Sequence, residues 1–279
     1  MQSLEIKRSI PILKEVEIFI AGGGPAGIAA GVTASRQGKS VFLAEGQSFF
    51  GGMGTAALVP IFCYFTDMVN FVAGGFGREV YDRLWDAGGT GPDDRRENPH
   101  GSVNIQVEVL KRVYDDLALG SGLDFSFQTH VIGIEKEGDR ITHAICYGKS
   151  GLYAIKAQNF IDCTGDGDLA AWAGAPFEKG DQAGNMQPGT LCSLWTDIDW
   201  EAVEQSGLNA TIELPRALKD KVFTIPDTHL PGMFRVGLNT GGGNIGHLFG
   251  IDGTDEKTMT GGLVWGRKSL LEYETYYKK

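Results

Sequence analysis

A glycine-rich turn near the N-terminus has the spacing that dinucleotide-binding loops use. Gly22, Gly24 and Gly27 follow an apolar, strand-like run at residues 17–21 and lead into residues 28–37, a stretch compatible with a helix. In such a turn the first glycine permits the tight bend, the second lets the backbone approach a pyrophosphate, and the third lets helix and strand pack closely. The N-terminus of the helix then faces the phosphate charge. Glycine spacing and context together predict a pyrophosphate site.

An acidic residue stands where the ribose of a dinucleotide would be held. Glu45 ends a second apolar run, residues 40–44, and follows Gly22 at close to the expected spacing of roughly 20 residues. A carboxylate at this position accepts hydrogen bonds from ribose hydroxyls and favours an unphosphorylated ribose, as in FAD or NAD. The order strand, glycine turn, helix, strand, acid predicts a βαβ unit with a parallel sheet.

The chain beyond Glu45 does not continue as alternating strands and helices. Two amphipathic helices are predicted, over about residues 78–86 and 105–119. An antiparallel β-meander is predicted next, from short strands at residues 123–128, 130–135, 141–147 and 152–157. Another strand, residues 160–163, returns to a second glycine-rich end. An NAD domain would normally continue the βα alternation, so the interruption favours FAD, and an NAD-linked dehydrogenase is the alternative.

The order of elements predicts an α/β fold with two domains. Residues 1–184 would form a Rossmann-like dinucleotide-binding domain, with a parallel sheet, a helical insert, the inserted antiparallel β-meander and the return strand. Residues 185–279 would form a partial α+β substrate or cap region ending in a helix. Its predicted elements are strands at 191–195 and 233–238, a helix at 201–206 and a long helix from residue 254.

Several segments carry a resemblance to a known family. AGGGPAGIAA (residues 21–30), LAE (43–45) and GGM (51–53) are similar to the FAD-dependent oxidoreductases of the glutathione-reductase-like structural class. The nearer resemblance is to bacterial flavoproteins related to the flavin domain of heterodisulfide reductase. IDCTGDGDLAA (161–171), followed by AGAPF (173–177), is the most specific match, and GIDGT (250–254) also fits. The resemblance covers the chain from about residue 15 and implies FAD as cofactor.

The resemblance implies a role for particular positions of this chain. The pyrophosphate would be cradled by Gly22, Gly24, Pro25, Ala26 and Gly27. The adenosine end would be held by Glu45 on the ribose, by the backbone of Val131 on adenine, and by Thr164 and Gly165 closing over that side. The ribityl chain, toward the isoalloxazine, would lie over Gly51, Gly52 and Met53. Asp166 and Asp168 would either cap the helix that follows at Leu169 or contact the cofactor.

Two features depart from the family pattern. Relatives carry a later strand ending in Gly-Arg or Gly-Asp that reaches the flavin, and residues 263–267 fit it only superficially because they fall within the predicted terminal helix. The chain therefore looks C-terminally truncated relative to the family. No cysteine cluster is present among Cys63, Cys146, Cys163 and Cys192, so this chain alone would not house the iron–sulfur centres of heterodisulfide reductase relatives, and no metal site is predicted.

The substrate face would be built by the region after residue 185. Thr55, His229, Arg235 and His247 are candidates, and none is assigned a catalytic role. For both histidines a structural role is favoured. Arg235 would either anchor an anionic substrate or lie on a solvated face. The charged run at residues 93–97 is predicted to be a solvated turn. The aromatic pair at residues 49–50 is predicted to serve packing, with one ring bordering the flavin as the alternative.

The hypothesis for function is an FAD-dependent oxidoreductase of unknown substrate, with two-electron or hydride transfer at the flavin. The alternatives are the NAD-linked dehydrogenase and a non-catalytic flavin-binding fragment or subunit that needs a missing C-terminal segment. The expected partners are a small-molecule substrate and either an electron-transfer partner or that segment.

Composition limits the other classes of partner. The chain has 25 Lys plus Arg against 35 Asp plus Glu, a net charge of −10, which argues against a nucleic-acid partner. No run approaches the length of about 18 apolar residues that spans a bilayer, and residues 1–14 do not form a signal peptide. We therefore expect no membrane partner and a cytoplasmic location.

Overall fold

A computed structural model describes residues 4–96, 102–229 and 232–278. The chain divides into two compact units, each built from two stretches: Met1–Gly52 with Lys111–Phe177, and Met53–Leu110 with Glu178–Lys279. The sequence predicts instead a single boundary after residue 184, and that domain division stays a prediction. Glu97, the last residue of the predicted charged turn, lies outside the described residues.

The secondary structure of the described residues is numbered in chain order. The strands are β1 (Ile12–Ala21), β2 (Val41–Ala44), β3 (Ile61–Phe62), β4 (Val103–Asn104), β5 (Asp124–Ser126), β6 (His130–Glu137), β7 (Arg140–Gly148), β8 (Gly151–Asp162), β9 (Ser193–Trp195), β10 (Gly232–Arg235) and β11 (Gly241–Asn244). The α-helices are α1 (Pro25–Arg36), α2 (Phe76–Asp86), α3 (Val107–Ser121), α4 (Asp168–Ala173), α5 (Trp200–Ser206), α6 (Ala210–Lys219) and α7 (Glu256–Tyr277).

The first unit is built on a six-stranded sheet of order β5-β2-β1-β8-β7-β6. Strands β5, β2, β1 and β8 run parallel, and β7 and β6 continue the sheet as antiparallel strands. Ala21 at the end of β1 is in register with Ala44 of β2 and Asp162 of β8. The carboxyl ends of these parallel strands therefore meet at one edge, the edge at which open α/β sheets bind ligands.

Apolar strands hold this sheet in the core. β2 is buried along its whole length, and Phe19 and Ile20 of β1 are fully buried. Helix α1 packs against β1 and β2 through its buried positions Ile28 and Val32. The predicted α/β class, with a parallel sheet and an inserted antiparallel section, is confirmed.

Two strand assignments from the sequence are wrong. The segment predicted as the first meander strand pairs in parallel with β2 as the edge strand β5, because its register joins Phe42 to Asp124 rather than to the meander. The predicted strands 152–157 and 160–163 form one continuous strand, β8. Gln158 and Asn159, between the two predicted strands, are exposed and polar, and they lie where β8 has left β7 and still pairs with β1.

The second unit contains a three-stranded antiparallel sheet of order β10-β11-β9 and the short antiparallel pair β3–β4. The predicted helices at 78–86 and 201–206 correspond to α2 and α5, and the long terminal helix is α7, which Asp255 caps by accepting the Thr258 N–H at 2.7 Å. Helix α6 and strand β11 were not predicted, since α6 contains Pro215 and β11 begins with three glycines. No helix in the described parts of the chain is long and apolar enough to cross a membrane.

Candidate cofactor site

The glycine turn lies between β1 and α1, at the carboxyl edge of the sheet. A Cβ atom on Gly22 would overlap the carbonyl oxygen of Cys163, and the φ of Gly22, +92°, is one that glycine adopts without strain. A Cβ atom on Gly27 would overlap the carbonyl oxygen of Gly22. The first and third glycines of the motif are therefore required by the packing of the turn against β8 and of α1 against β1.

The second glycine has a different environment. A Cβ atom on Gly24 would meet no heavy atom within 4 Å, so the backbone here faces open space. Helix α1 begins at Pro25, its N-cap Gly24 offers no side-chain hydrogen bond, and its first turn, which includes Ala26, carries no acidic residue. The N–H groups and positive end of the helix dipole are thus accessible to an anion, as a pyrophosphate site requires.

Glu45 lies beside the turn and is buried. One carboxylate oxygen accepts the N–H of Gly23 at 2.5 Å, and the other accepts the N–H of Gln47 at 2.6 Å. A carboxylate has about four lone-pair positions, so each oxygen retains capacity for a ribose hydroxyl. The two backbone bonds hold the side chain at the turn before any ligand binds.

Gly51 and Gly52 pack against the Gly22–Gly27 turn. The Gly51 N–H donates to the Gly23 carbonyl oxygen at 2.9 Å, and a Cβ atom on Gly52 would lie 3.2 Å from the Cα of Gly24. Gly51 and Gly52 therefore lie directly against the predicted pyrophosphate cradle. Met53 begins the second unit, where its side chain is 64% exposed.

The residues that precede Val131 are hydrogen-bonded to the loop that contains Glu45. The Thr129 N–H donates to the Glu45 carbonyl oxygen and the Gln128 N–H donates to the Gln47 carbonyl oxygen, both at 2.9 Å. Val131 follows in β6, where it is in register with Cys146 of β7. The structure brings the start of β6 to the Glu45 loop, and the adenine contact of Val131 stays a prediction.

The turn after β8 is held by two residues. The Thr164 hydroxyl donates to the Asp162 carboxylate at 2.7 Å and accepts the N–H groups of Gly167 and Asp168 at 3.1 and 3.0 Å. The other oxygen of Asp162 accepts the Ala170 N–H at 3.0 Å. Burial acts to raise the pKa of Asp162, but the hydrogen bonds from Ala170 and Thr164 outweigh it and lower that pKa.

This arrangement corrects the predicted capping of α4. The side chains of Asp162 and Thr164 satisfy the N-terminal N–H groups, whereas Asp166 and Asp168 do not, because Gly167 at the N-cap position has left-handed backbone and no side-chain bond. Burial, followed by the charges of Asp166 and Asp162, raises the pKa of Asp168. Gly165, φ +94°, lies within this turn. The cofactor contacts of Thr164 and Gly165 stay predictions.

The packing role predicted for Phe50 is confirmed, and its contact with the glycine turn is a feature that the sequence did not indicate. Its ring is fully buried between Phe125 and Phe127, with ring centroids 4.9 and 4.7 Å away. A Cβ atom on Gly23 would lie 2.7 Å from the Phe50 ring, so this aromatic cluster packs directly against the glycine turn. The neighbouring Phe49 is partly exposed, and the Lys111 ammonium lies 3.9 Å from its ring centroid.

The substrate-region candidates lie in the second unit. Arg235 pairs with Asp93 at 3.2 Å and with Glu204 at 3.8 Å, so its charge faces two carboxylates. Thr55 is buried. His229 and His247 contact each other, with 3.1 Å between ring nitrogens. In the parts of the chain that the structure describes, no group of three or more His, Cys, Asp or Glu residues could hold a metal ion.

The fold and the turn define an α/β protein with a dinucleotide-binding βαβ unit. The model of the FAD dependent oxidoreductase family matches residues 17–278, and the chain belongs to this family. FAD is therefore the cofactor, in preference to NAD. The residues of the first unit fit its ADP half: two glycines that admit no side chain, an uncapped helix N-terminus and a buried carboxylate at the position of the motif that holds the ribose.

Solved structures similar to this chain include the following three. A geranylgeranyl bacteriochlorophyll reductase-like protein from Thermoplasma acidophilum is 16% identical, with a TM-score of 0.42 over 58% of this chain and 42% of that one. Thermovibrio ammonificans THI4 is 17% identical, with a TM-score of 0.41 over 57% of this chain and 61% of that one. The p-nitrophenol 4-monooxygenase PnpA from Pseudomonas putida DLL-E4 is 12% identical, with a TM-score of 0.48 over 68% of this chain and 50% of that one.

The chain thus spans between 42% and 61% of the length of these three structures. No curated protein matches the chain.

Proposed function

We propose that this chain is an oxidoreductase that binds FAD in its first unit and transfers two electrons, as a hydride, between a small molecule and the flavin. The observation that carries the proposal is the Gly22–Gly27 turn. Neighbouring backbone atoms leave no room for a side chain at Gly22 or Gly27, whereas Gly24 and the start of α1 face open space. That combination supports anion binding at a helix N-terminus. Membership of the FAD dependent oxidoreductase family supports a redox reaction.

Each part of the turn has a task in this proposal. The N-terminal N–H groups of α1 bind the pyrophosphate, and Gly24 leaves room for it. Glu45 accepts hydrogen bonds from the adenosine ribose while its bonds to Gly23 and Gln47 fix its position. When bound, FAD supplies the two-electron chemistry, and the protein supplies its orientation and surroundings.

The proposal is tested on the purified chain. Visible absorbance before and after denaturation counts flavin per chain, and anaerobic titration with a panel of reduced pyridine nucleotides, alcohols, hydroxy acids and amines detects bleaching of the flavin band. We expect one FAD per chain and bleaching by at least one donor. The Gly24→Asp variant is the control without bound flavin.

The possible results separate the alternatives. Full FAD occupancy without bleaching by any donor would contradict the enzyme and support a flavin-binding subunit that works with a further protein. A colourless chain that refuses added FAD would contradict the cofactor site itself. Bleaching by a donor, followed by stoichiometric appearance of its oxidised product, supports the proposal.

A further inference from the structure

Three side chains of the second unit form a continuous hydrogen-bonded array. The Asp227 carboxylate lies 2.9 Å from Nδ1 of His247, and Nε2 of His247 lies 3.1 Å from Nδ1 of His229. The two imidazole rings are almost parallel, with an interplanar angle of 3° and centroids 4.7 Å apart. An aligned carboxylate, imidazole and second imidazole is an arrangement that can hold a proton at its outer end.

The backbone fixes this array in place. Asp227 also accepts the backbone N–H of His229 at 2.9 Å and that of His247 at 3.2 Å. Its side chain is only 11% exposed and that of His247 only 22%, so the two inner members are largely shielded from water. One carboxylate therefore positions both histidines, although they are distant in sequence.

The bond to Asp227 determines the tautomers. A carboxylate accepts the proton of His247 Nδ1, so Nε2 of His247 carries a lone pair and accepts from Nδ1–H of His229. Nε2 of His229 is then left with a lone pair, and the His229 side chain is exposed. The array thus presents a proton acceptor at the surface, positioned through His247 by Asp227.

An apolar cleft adjoins the array. The His247 ring stands edge-on to Phe249, with centroids 5.7 Å apart. Phe249 lines a cleft of about 510 Å³, together with Leu248, Ile251 and Trp265. Its walls suit a hydrophobic ring or alicyclic body, which would bury apolar surface there.

The hydroxyl group of Tyr273 lies near the array and stays protonated. Tyr273 and Asp227 line the same small cavity as His247. Burial, with the nearby charges of Asp227 and Glu272, raises the pKa of Tyr273 to about 12. The phenol of the protein therefore stays neutral at physiological pH and does not compete with the imidazoles as a proton acceptor.

We propose that Asp227, His247 and His229 form a proton-accepting site for a hydrophobic hydroxyl compound of the phenol type, whose apolar body occupies the adjoining cleft. The O–H bond of the ligand breaks, an N–H bond forms at Nε2 of His229, and the oxygen keeps the electron pair as a phenolate. His229 is the residue that touches the ligand, whereas His247 and Asp227 are positioning residues. Assigning this compound as the substrate rests on the proposed function, but its binding and ionisation do not.

The test uses the purified full chain as isolated, with any bound flavin kept oxidised, and 4-cyanophenol labelled with 13C in the cyano group. The 13C chemical shift reports the ratio of ionised to neutral bound phenol at a pH where the free phenol is mostly neutral. We expect the bound phenol to be enriched in the ionised form, and His229→Gln to lower that ratio at least tenfold while the cleft still binds the ring. His143→Gln, a histidine of β7 in the other unit, is the matched control and should leave the ratio unchanged.

The positioning role is tested separately. Asp227→Asn should lower the ionised-to-neutral ratio of the bound phenol while His229 is still present. In the wild type, two-bond 1H–15N spectra should show His247 protonated at Nδ1, a readout that needs no variant to fold. An unprotonated Nδ1 on His247, a metal ion retained by the two imidazoles, no binding of the phenol, or equal ionisation in wild type and His229→Gln would each overturn the inference.

These results are independent of the flavin test. Phenol ionisation by the array in a protein whose flavin no donor bleaches would contradict the proposed function and leave the site standing. Flavin bleaching in a protein that does not ionise the phenol would do the reverse.

Discussion

A Cβ atom on Gly27 would overlap the carbonyl oxygen of Gly22, so the first turn of α1 and the end of β1 are in contact through backbone atoms alone. This contact brings the helix N-terminus to the carboxyl edge of the sheet. Replacement of Gly27 by alanine must move α1, because the overlapping atom belongs to the backbone rather than to a flexible side chain.

Gly27→Ala is therefore expected to lower the free energy of unfolding of the FAD-free protein by about 1–3 kcal/mol, the usual penalty of overpacking. It should also abolish FAD binding. Urea unfolding of the apoprotein, with FAD titration beside it, measures both effects. Gly120→Ala is the control, because a Cβ atom at that position would meet no heavy atom within 4 Å. Gly38 also has open space around it, but its positive φ makes it unsuitable. Unchanged unfolding in Gly27→Ala would contradict the contact.

Gly24→Asp should separate cofactor binding from stability. The added side chain enters open space, and aspartate at an N-cap position accepts the N–H groups of the first helical turn. We expect the apoprotein to be as stable as the wild type or more stable by about a few tenths of a kcal/mol. FAD binding should be lost, since a carboxylate would then occupy and repel the pyrophosphate position. Retained FAD affinity would show that the phosphates bind elsewhere.

Glu45→Ala should weaken FAD binding by roughly 1–3 kcal/mol, because charged hydrogen bonds to the ribose are lost. The apoprotein should also lose stability, since the N–H groups of Gly23 and Gln47 lose their acceptor. Calorimetric FAD titration and urea unfolding give the two values. Glu45→Gln keeps the side-chain volume and one carbonyl oxygen, so it should lie between the wild type and Glu45→Ala. An unchanged FAD affinity in both variants would contradict the ribose assignment.

Asp162 should contribute to stability in a pH-dependent way. Hydrogen bonds from Ala170 and Thr164 outweigh burial and lower its folded pKa below the ordinary value of 3.8. A lowered pKa means that the contribution is complete above the ordinary value and is lost as the pH falls through the folded one. The difference in urea midpoint between wild type and Asp162→Asn should therefore be constant above about pH 5 and shrink as the pH falls through the lowered folded pKa. A difference that does not change with pH would contradict this assignment.

Local patterns were sufficient to predict a cofactor turn. Gly22, Gly24 and Gly27 lie within six residues, and the reason for each is local: a bend, an approach and a helix contact. Glu45 could be placed because it directly follows a buried apolar run, and a strand's end defines the sheet edge. A βαβ unit is also a short-range object, so its class and the FAD cofactor followed from sequence.

Strand pairing was less accessible. The residues 123–128 have the composition of a strand, but nothing in them states whether the neighbour is β2 or a meander strand. Likewise Gln158 and Asn159 are polar residues that a strand tolerates where one face is exposed, so β8 could not be distinguished from two shorter strands. Register and neighbour are decided by which faces the whole sheet buries.

The sequence by itself determined the α/β class, and it predicted the dinucleotide turn and its acidic partner, since their residues act through near neighbours along the chain. Only the tertiary structure decided that Phe50 supports Gly23, that Asp162 holds the start of α4, and that Asp227 joins His247 to His229. Two of those relationships depend on residues from separate segments meeting at hydrogen-bond or van der Waals distance, and the third depends on the geometry of the turn that follows β8. No periodicity encodes such meetings, because they result from the packing of the complete chain.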